Sequence, residues 1–597
     1  MKKFINISIL LSAVAMLSAC DDFLTKEPET DLPPQTFFSS DKELELWSNR
    51  YYNQFSSPDD FLKTYADDYV ASSLSSVARG TRTPESENWG TGAWQYLRWI
   101  NYQFAYDSNC SDEAVRTKYR GVAHFFRAFF YFEKVKKYGD VPYYDYVISD
   151  TDWASLKKPR DSRGYVMYQV LKNLDNAYDM LPEAWPSNPM YHVSKYAALA
   201  LKSRAALYEG TFRKYHNIED ETVDGVTISA DWFLEQAADA AKLIIESKKY
   251  SIYEKDAKGV GPYRDFFVLE DADPSETILG IRFANGDAVT VRHGLQFALL
   301  GNARISATRR FTNHYLMADG SKVQDKEGYA TMSYAESFKD RDPRMSQTLL
   351  APGYKQIGQE DETVETLTSD LSGYSIIKFI SDDSHNTATT STTDWPLFRY
   401  PEVLLNYAEA KAELGTLTQD DIDLTVNAIR HRVGMGGLTM ADANSAPDAL
   451  LAGYYPNVTK SDNTGVILEI RRERTIELVA EGFRQWDMLR WKEGQFLTPN
   501  AYEHKGFEGI YFAGLGEIDM NGDNEPDILL YRGTKPSTAL TAYNVDTDLT
   551  LSEGDHGYVL MYNMETYVWN EVRDYLWPIP EAQRIATGGA LSQNEGY

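Results

Sequence analysis

The sequence predicts a predominantly α protein: a scaffold of tetratricopeptide-like helical pairs with long loops and a few short strands. Three observations lead there. Between residues 41 and 250, helix-periodic stretches with alanine faces opposite aromatic faces alternate with short breaks. From 251 to 395 the texture changes to Gly, Asp, Ser and Thr with scattered apolar residues, as in long loops. Helical periodicity then returns from Arg399 onward.

The elements follow in order. Lys2 and Lys3 precede an uncharged apolar run from Phe4 to Leu17. That run is too short to span a bilayer and ends in small residues, so residues 1–19 read as a secretory signal. "LSAC" resembles the lipobox of bacterial lipoproteins and marks Cys20 as the lipidated residue. Each buried methylene contributes roughly 0.8 kcal/mol and stable attachment takes about two chains, so acylated Cys20 would tether the protein to a membrane without crossing it. Residues 20–40, acidic and proline-bearing, read as a leader between lipid and body.

Residues 41–250 form the N-terminal helical region. Its clearest helix is "VAHFFRAFFYFEKVKKYGDVP", where Phe125, Phe126, Phe129, Phe130, Phe132 and Val135 cover much of the circumference. Lysines in its last turn, Gly139 and Pro142 mark its end. "YVMYQVLKNLDNAYDMLP" is a second helix ended by Pro182, "VSKYAALALKSRAALYEG" a third stopped by Gly210, and "WFLEQAADAAKLIIESKKY" a fourth. Residues 251–597 pack on the same scaffold and are loop-rich at first, with one strand at "TILGIRF". Helices resume at "RYPEVLLNYAEAKAELG", at "DDIDLTVNAIRHRVG" and at "GVILEIRRERTIELVAEGFRQWDMLRW", the last broken at Gly482. Its charges read as a solvated or interhelical salt-bridge face. Pro578 and Pro580 favour an extended tail lying over the body.

A net charge of −28 disfavours nucleic acid and other polyanions. Cys20 and Cys110 are the only cysteines, which leaves no intramolecular disulfide or CxxC metal site in a lipidated chain. No histidine is followed by Glu, so there is no HExxH helix; GxSxG, P-loop and strand-to-helix GxGxxG motifs are absent as well. The expectation is a protein without catalytic residues. With 88 acids, spacing alone leaves a glycosidase-like carboxylate pair open.

The first binding candidate is "SSVARGTRTPESENWGTGAWQYLRWINYQF". A pyranose stacks its axial C–H face on an indole and turns its hydroxyls to Arg, Asn and acid groups. Trp89 is the preferred platform, with Trp94, Asn88, Arg82 and Glu87 around it; Trp94 and Trp99 could instead start a helix and pack inward. A second is "LLGNARISATRRFTNHY", where Asn302, Arg304, Arg309 and Arg310 could meet a ligand or neighbouring acids. Trp395 is either exposed after the polar 381–394 loop or an anchor for the next helix. In "DMNGDNEPD", Asp519, Asn521, Asp523, Glu525 and Asp527 have the oxygen-donor spacing of a structural Ca²⁺ loop, without its bidentate Glu. An Asx-rich turn explains the same residues.

Taken together, "CDDFL" with Pro28, "RAFFYFEKVKKYGDVP", "DPR" at 342–344, "RYPEVLLNYAEAK", "RRERTIELVAEGFRQWDMLRW", "WPIP" and the terminal "LSQNEGY" resemble the SusD/RagB family over nearly the whole mature chain. Asn594-Glu595 departs from the family's usual Asn-Pro. The resemblance implies a lipoprotein on the extracellular face of the outer membrane, sitting as a lid on a SusC-like TonB-dependent transporter. It also implies capture of an oligosaccharide or polysaccharide, with the glycan site near a stretch that looks like the one holding Trp89. A peptide- or protein-nutrient binder, a surface glycoside hydrolase and a ligand-free lid are the alternatives.

Overall fold

The computed structural model describes residues 37–597 apart from 64, 65, 90 and 287–289. The signal, Cys20 and most of the leader lie outside the described residues. Among those described, no helix is long and apolar enough to cross a membrane.

The architecture is mostly helical, as the periodicity predicts. Helix α1 (Asp41–Asn49) and α2 (Thr91–Tyr106) pack on α3 (Glu113–Tyr138). Helix α3 then pairs with α4 (Arg163–Met180), α5 (Lys195–His216) with α6 (Ala230–Ser247), and α6 in turn with α7 (Tyr400–Leu414). Helix α3 begins where Asp112 accepts from the Ala114 and Val115 amides and ends at Gly139, whose φ of 69° only glycine adopts freely. Its aromatic residues bury on several sides: Phe125, Phe126, Phe130 and Phe132 are all core.

Helix α5 corrects the sequence reading. It runs through Gly210 to His216. A Cβ at Gly210 would come within 2.8 Å of Leu234 Cγ and 3.0 Å of the Ala230 carbonyl. The glycine serves the close approach of α6, not a stop.

Helix α8 (Thr464–Glu477) and α9 (Arg484–Arg490) also depart from expectation. Helix α8 ends at Glu477, five residues before Gly482, and its charges take the interhelical salt-bridge alternative, buried rather than solvated. Arg399 bonds Glu276, Glu477 and Glu481, Arg432 bonds Glu276 and Glu477, and Arg344 bonds Asp342 and Glu473. Lys378 reaches Glu481 at 2.7 Å. This lattice of buried ions ties the loop-rich 251–395 segment to the helices that follow. Arginine suits the role because its planar fork satisfies two carboxylates at once.

Strands are short. The "TILGIRF" strand is β2 (Thr277–Ile281), paired antiparallel with β4 (Trp395–Arg399). Upstream of it, β1 (Tyr69–Val70) pairs with β3 (Ser306–Ala307). Two three-stranded sheets that periodicity did not reveal occupy 507–561. One joins β6 (Gly516–Ile518), β7 (Ile528–Tyr531) and β8 (Thr541–Asn544); the other joins β9 (Thr550–Leu551), β10 (Gly557–Met561) and β5 (Phe507–Phe512). The tail does lie over the body, with a helical turn at Glu581–Ala586, and Asn594 bonds the Tyr138 and Trp577 carbonyls.

Candidate functional site

The short β1–β3 pairing brings three distant segments together. Ser72 follows β1 and donates its amide to the Ala303 carbonyl at 3.0 Å; Arg304 precedes β3; Ser306 bridges to Ser375. Against this junction lie the two C-terminal sheets, with a small apolar floor of Val70, Leu74, Phe507 and Met561. Between them opens a pocket of about 200 Å³, lined by Ser72, Arg304, Leu367, Asp370 and Leu371 on one side. Tyr543, Asp548, Leu549 and the stretch from Val559 to Tyr562 line the other side.

The backbone around this pocket is strained. Arg304, Leu367 and Tyr562 have φ of 49°, 59° and 60°, the left-handed region that side chains with a Cβ avoid. Each such residue costs on the order of 1–3 kcal/mol and persists only where its surroundings hold it. Arg304 follows a π-turn at Ala298–Asn302 that contains Gly301 at φ 120°. Its Nε and Nη2 donate to the Asp370 carbonyl, and Nη1 has no protein partner among the described residues. Tyr543 donates to the Thr366 carbonyl at 2.7 Å and Tyr562 to that of Ala71, so both rings are fixed edges of the pocket. Asp370 accepts from the Gly373 amide and from Ser375; burial and the neighbouring Glu365 push its carboxyl well above the usual range. This fixes two aromatic rings, an open guanidinium nitrogen and a solvent-side acid, Asp548, in one depression.

Of the residues expected to bind, only Arg304 lies in this pocket. The side chain of Asn302, the last residue of the π-turn, is not among those described. Arg310 bonds Asp67 at 2.7 Å and the Tyr454 carbonyl, and Arg309 faces Glu508 at 3.7 Å, so these two serve neighbouring acids.

Trp89 is not an exposed platform: it is 3% exposed and packs edge-on against Trp94 and Tyr138 at 5.6 and 5.0 Å. Trp94 is half-buried against Phe130 on α3, and Trp99 is half-buried beside Arg50. Arg82 is buried, donating to the Asp574 and Leu576 carbonyls with its guanidinium 4.4 Å from the Trp577 ring. Glu87 is half-buried, its carboxyl raised by desolvation, and Asn88 is exposed next to buried Trp89. The physical reason is the tail: residues 565–581 lie across this loop and seal it, with Arg79 paired to Glu565 and the Glu581 amide on the Pro84 carbonyl. Trp395 takes the anchoring alternative, 3% exposed in β4 and stacked on Phe61 at 5.0 Å.

In the 519–527 loop, Asp519 accepts from the Gly522 and Asn524 amides, Asn521 from that of Asp523, Asp523 from that of Glu525, and Asp527 from that of Met520. Asn521 and Asp523 thus close Asx turns, while Asp519 and Asp527 tie together the loop's ends; Glu525, expected to offer its backbone carbonyl, gives its amide to Asp523. Among the described residues, no three His, Cys, Asp or Glu side chains gather as a metal cage.

Sequence reasoning missed Tyr543 and Tyr562, which carry no motif, and Trp153. Trp153 is 65% exposed on a loop it shares with Tyr146, 46% exposed. Only the fold distinguishes these rings from the many tyrosines and tryptophans of the core.

Comparison with known proteins agrees with the architecture. The family model described as "SusD family" matches residues 282–597, and one described as "Starch-binding associating with outer membrane" matches 22–207. A SusD-like protein, P38, from Formosa agariphila is 24% identical over 536 residues, 82% of this chain and 92% of its own. A SusD-like carbohydrate-binding protein from Bacteroides fragilis superposes with a TM-score of 0.66 at 18% identity, covering 92% of this chain and 99% of that one. A laminarin-binding SusD-like protein superposes at 0.52 with 16% identity, covering 94% and 100%.

Proposed function

The chain belongs to the SusD family of outer-membrane-associated carbohydrate-binding proteins, and from that premise we propose that it captures a neutral oligosaccharide in the Arg304 pocket and hands it to a TonB-dependent transporter. Cys20 would carry the lipid that holds the protein on the extracellular face. The observation that carries the reading is the convergence of three left-handed, non-glycine residues on one pocket edged by Tyr543 and Tyr562. A sugar's C–H face lies on a tyrosine ring, while its hydroxyls meet Arg304 Nη1 and Asp548. The strong negative charge favours a neutral glycan over a polyanion. Capture without cleavage fits the acids of the pocket: Asp370 is buried and occupied by Gly373 and Ser375, which leaves Asp548 as the solvent-side acid of the lining where hydrolysis uses a facing pair. A pocket this small gives modest affinity, and tethering at the channel mouth supplies the effective concentration that affinity lacks.

The test is native affinity electrophoresis of residues 21–597 against a panel of neutral polysaccharides that includes laminarin and starch, with reducing-sugar release measured alongside. Retardation by one glycan class is expected, weakened about tenfold in Tyr543→Ala and Arg304→Ala, the equivalent of one stacking or charge-assisted contact. Retardation that both variants retain would remove the pocket from the reading, and loss only in Trp153→Ala would move the site to the α3–α4 loop. Sugar release would replace capture by hydrolysis. If no polysaccharide retards the protein and a peptide does, the peptide-binding alternative takes its place.

A further inference from the structure

Two buried acids hold the turn on one side of the Arg304 pocket. Asp370 is 1% exposed and Glu365 3%, and among the described residues no lysine or arginine pairs with either carboxylate. Both oxygens of Asp370 are engaged, by the Gly373 amide at 3.0 Å and the Ser375 hydroxyl at 2.9 Å. Glu365 Oε1 takes the Leu367 amide at 2.7 Å, whereas its Oε2 is buried with no donor. The two side chains lie within hydrogen-bond reach of each other. Two ionised carboxylates only repel at that range. One proton between them turns the repulsion into a hydrogen bond and supplies the donor that the buried pair lacks.

The turn held in this way sets the rim of the pocket. Leu367 stands at φ 59° with its amide on Glu365, and Asp370 presents its main-chain carbonyl to Arg304 Nε and Nη2. Gly373, at φ 85°, packs tightly on β5, since a Cβ there would fall 2.4 Å from Ile510 Cδ1. Repulsion between the two acids would therefore be relieved towards the pocket side.

Arg304, Tyr543 and Tyr334 are the titratable or charged groups that face the pair. Arg304 bonds the Asp370 carbonyl and not the carboxylates, Tyr543 donates to the Thr366 carbonyl, and Tyr334 donates to that of Leu350. Farther out, beside Tyr374, Arg309 faces Glu508 and Arg341 serves main-chain carbonyls, while Asp548 adds negative charge across the pocket. Burial first, and then the Glu365 charge, push the Asp370 carboxyl well above its unfolded value of 3.8. Because the folded value is the higher one, folding takes up the proton. It is held below the folded value and passes to solvent as pH rises through it.

We propose that Glu365 and Asp370 share one proton that locks the 365–375 turn, so that they are positioning residues for Arg304 and make the pocket rim sensitive to alkaline pH. The lock concerns the rim itself and stands whether or not the pocket binds a glycan. Infrared difference spectroscopy of residues 21–597, titrated from about pH 6 to about pH 10, reads the proton directly as a carboxylic-acid C=O band. Near neutral pH the parent should show a component of that band that Asp370→Asn removes, and the component should vanish on alkalinisation. In Glu365→Gln, which lacks the neighbouring charge, its midpoint should fall by about one pH unit or more. Amide hydrogen exchange, corrected for the intrinsic rate, should show the 365–375 turn losing protection at least tenfold over the same range while α3 keeps its own. Asp370→Asn, which carries a fixed donor in place of the proton, should keep the turn protected throughout. Absence of a component lost in Asp370→Asn, or a midpoint unmoved in Glu365→Gln, would overturn the shared proton. A component that persists to the alkaline end, or protection that falls alike in the parent and Asp370→Asn, would overturn the lock.

Discussion

Glu477→Gln tests the buried ion lattice that ties the loop-rich segment to the helices that follow it. The Glu477 carboxylate accepts from Arg399 Nη1 at 2.6 Å and from Arg432 Nη2, and Arg344 Nη1 lies 3.7 Å away. Arg399 keeps Glu276 and Glu481 when this charge is removed, and Arg344 keeps Asp342 and Glu473. Arg432 is left with only Glu276, at 3.5 Å. Breaking a buried pair from one side costs about 3–5 kcal/mol, because the abandoned cation stays buried. The pH dependence gives a second figure. Burial opposes ionisation of Glu477, and the Arg432, Arg399 and Arg344 charges outweigh it, pulling the carboxyl from 4.5 to about 2. At about 1.4 kcal/mol per pH unit, the carboxylate contributes about 3 kcal/mol at neutral pH. Because the folded value is the lower one, the contribution is complete above the unfolded value of 4.5 and disappears as pH falls towards 2. Urea unfolding followed by both circular dichroism and tryptophan fluorescence, which must coincide for the arithmetic to hold, should show Glu477→Gln less stable by about 3–5 kcal/mol at pH 7. The gap should narrow steadily below pH 4.5. A loss under about 1 kcal/mol, the range of exposed pairs, or a gap unchanged down to pH 3, would refute the buried-lattice account.

Two further predictions concern residues with binding or metal expectations. Trp89→Ala should cost about 3–5 kcal/mol of unfolding free energy, as for other buried aromatics, while the folded fraction keeps its glycan retardation; lost retardation with an unchanged urea midpoint would return Trp89 to the surface role. The 519–527 loop should melt alike in EDTA and in millimolar calcium, because its carboxylates already serve backbone amides. A calcium-dependent rise in melting temperature abolished by Asp519→Asn would show that those oxygens turn outward to a cation.

What the sequence made legible follows from the range of the forces involved. The ends of α3 are local events, a side-chain cap at one end and a left-handed glycine at the other, so Asp112, Gly139 and Pro142 announce them within one stretch. Gly210 misleads because the same residue type serves another purpose: its missing Cβ admits α6, a neighbour twenty residues on that no local rule contains. The "RRERTIE" charges left a solvated face and an interhelical salt-bridge face both open for a related reason. Periodicity registers polarity, and only tertiary packing shows that Glu276, Arg344, Arg399 and Arg432 arrive to bury it.

The binding residues were the least legible, since stacking platforms and core aromatics are the same residue types. Trp89 sits among glycines and polar residues, as a surface tryptophan would, yet residues 565–581, nearly five hundred positions away, cover its loop. Tyr543 and Tyr562 carry no local signal because their placement depends on β1, β3 and two C-terminal sheets closing around one depression. Arg304 was found for its charge, while its left-handed backbone, shared with Leu367 and Tyr562, is a property of the folded chain alone. A side chain with a Cβ gains nothing locally from that conformation, so the restraint must come from the surrounding segments. Three such residues on one rim mean that the β1–β3 junction, the 365–375 turn and the strand end at Met561 each hold one of them in place. Loosening any one of these supports should therefore disturb the pocket before it disturbs the helical scaffold, whose own contacts lie elsewhere.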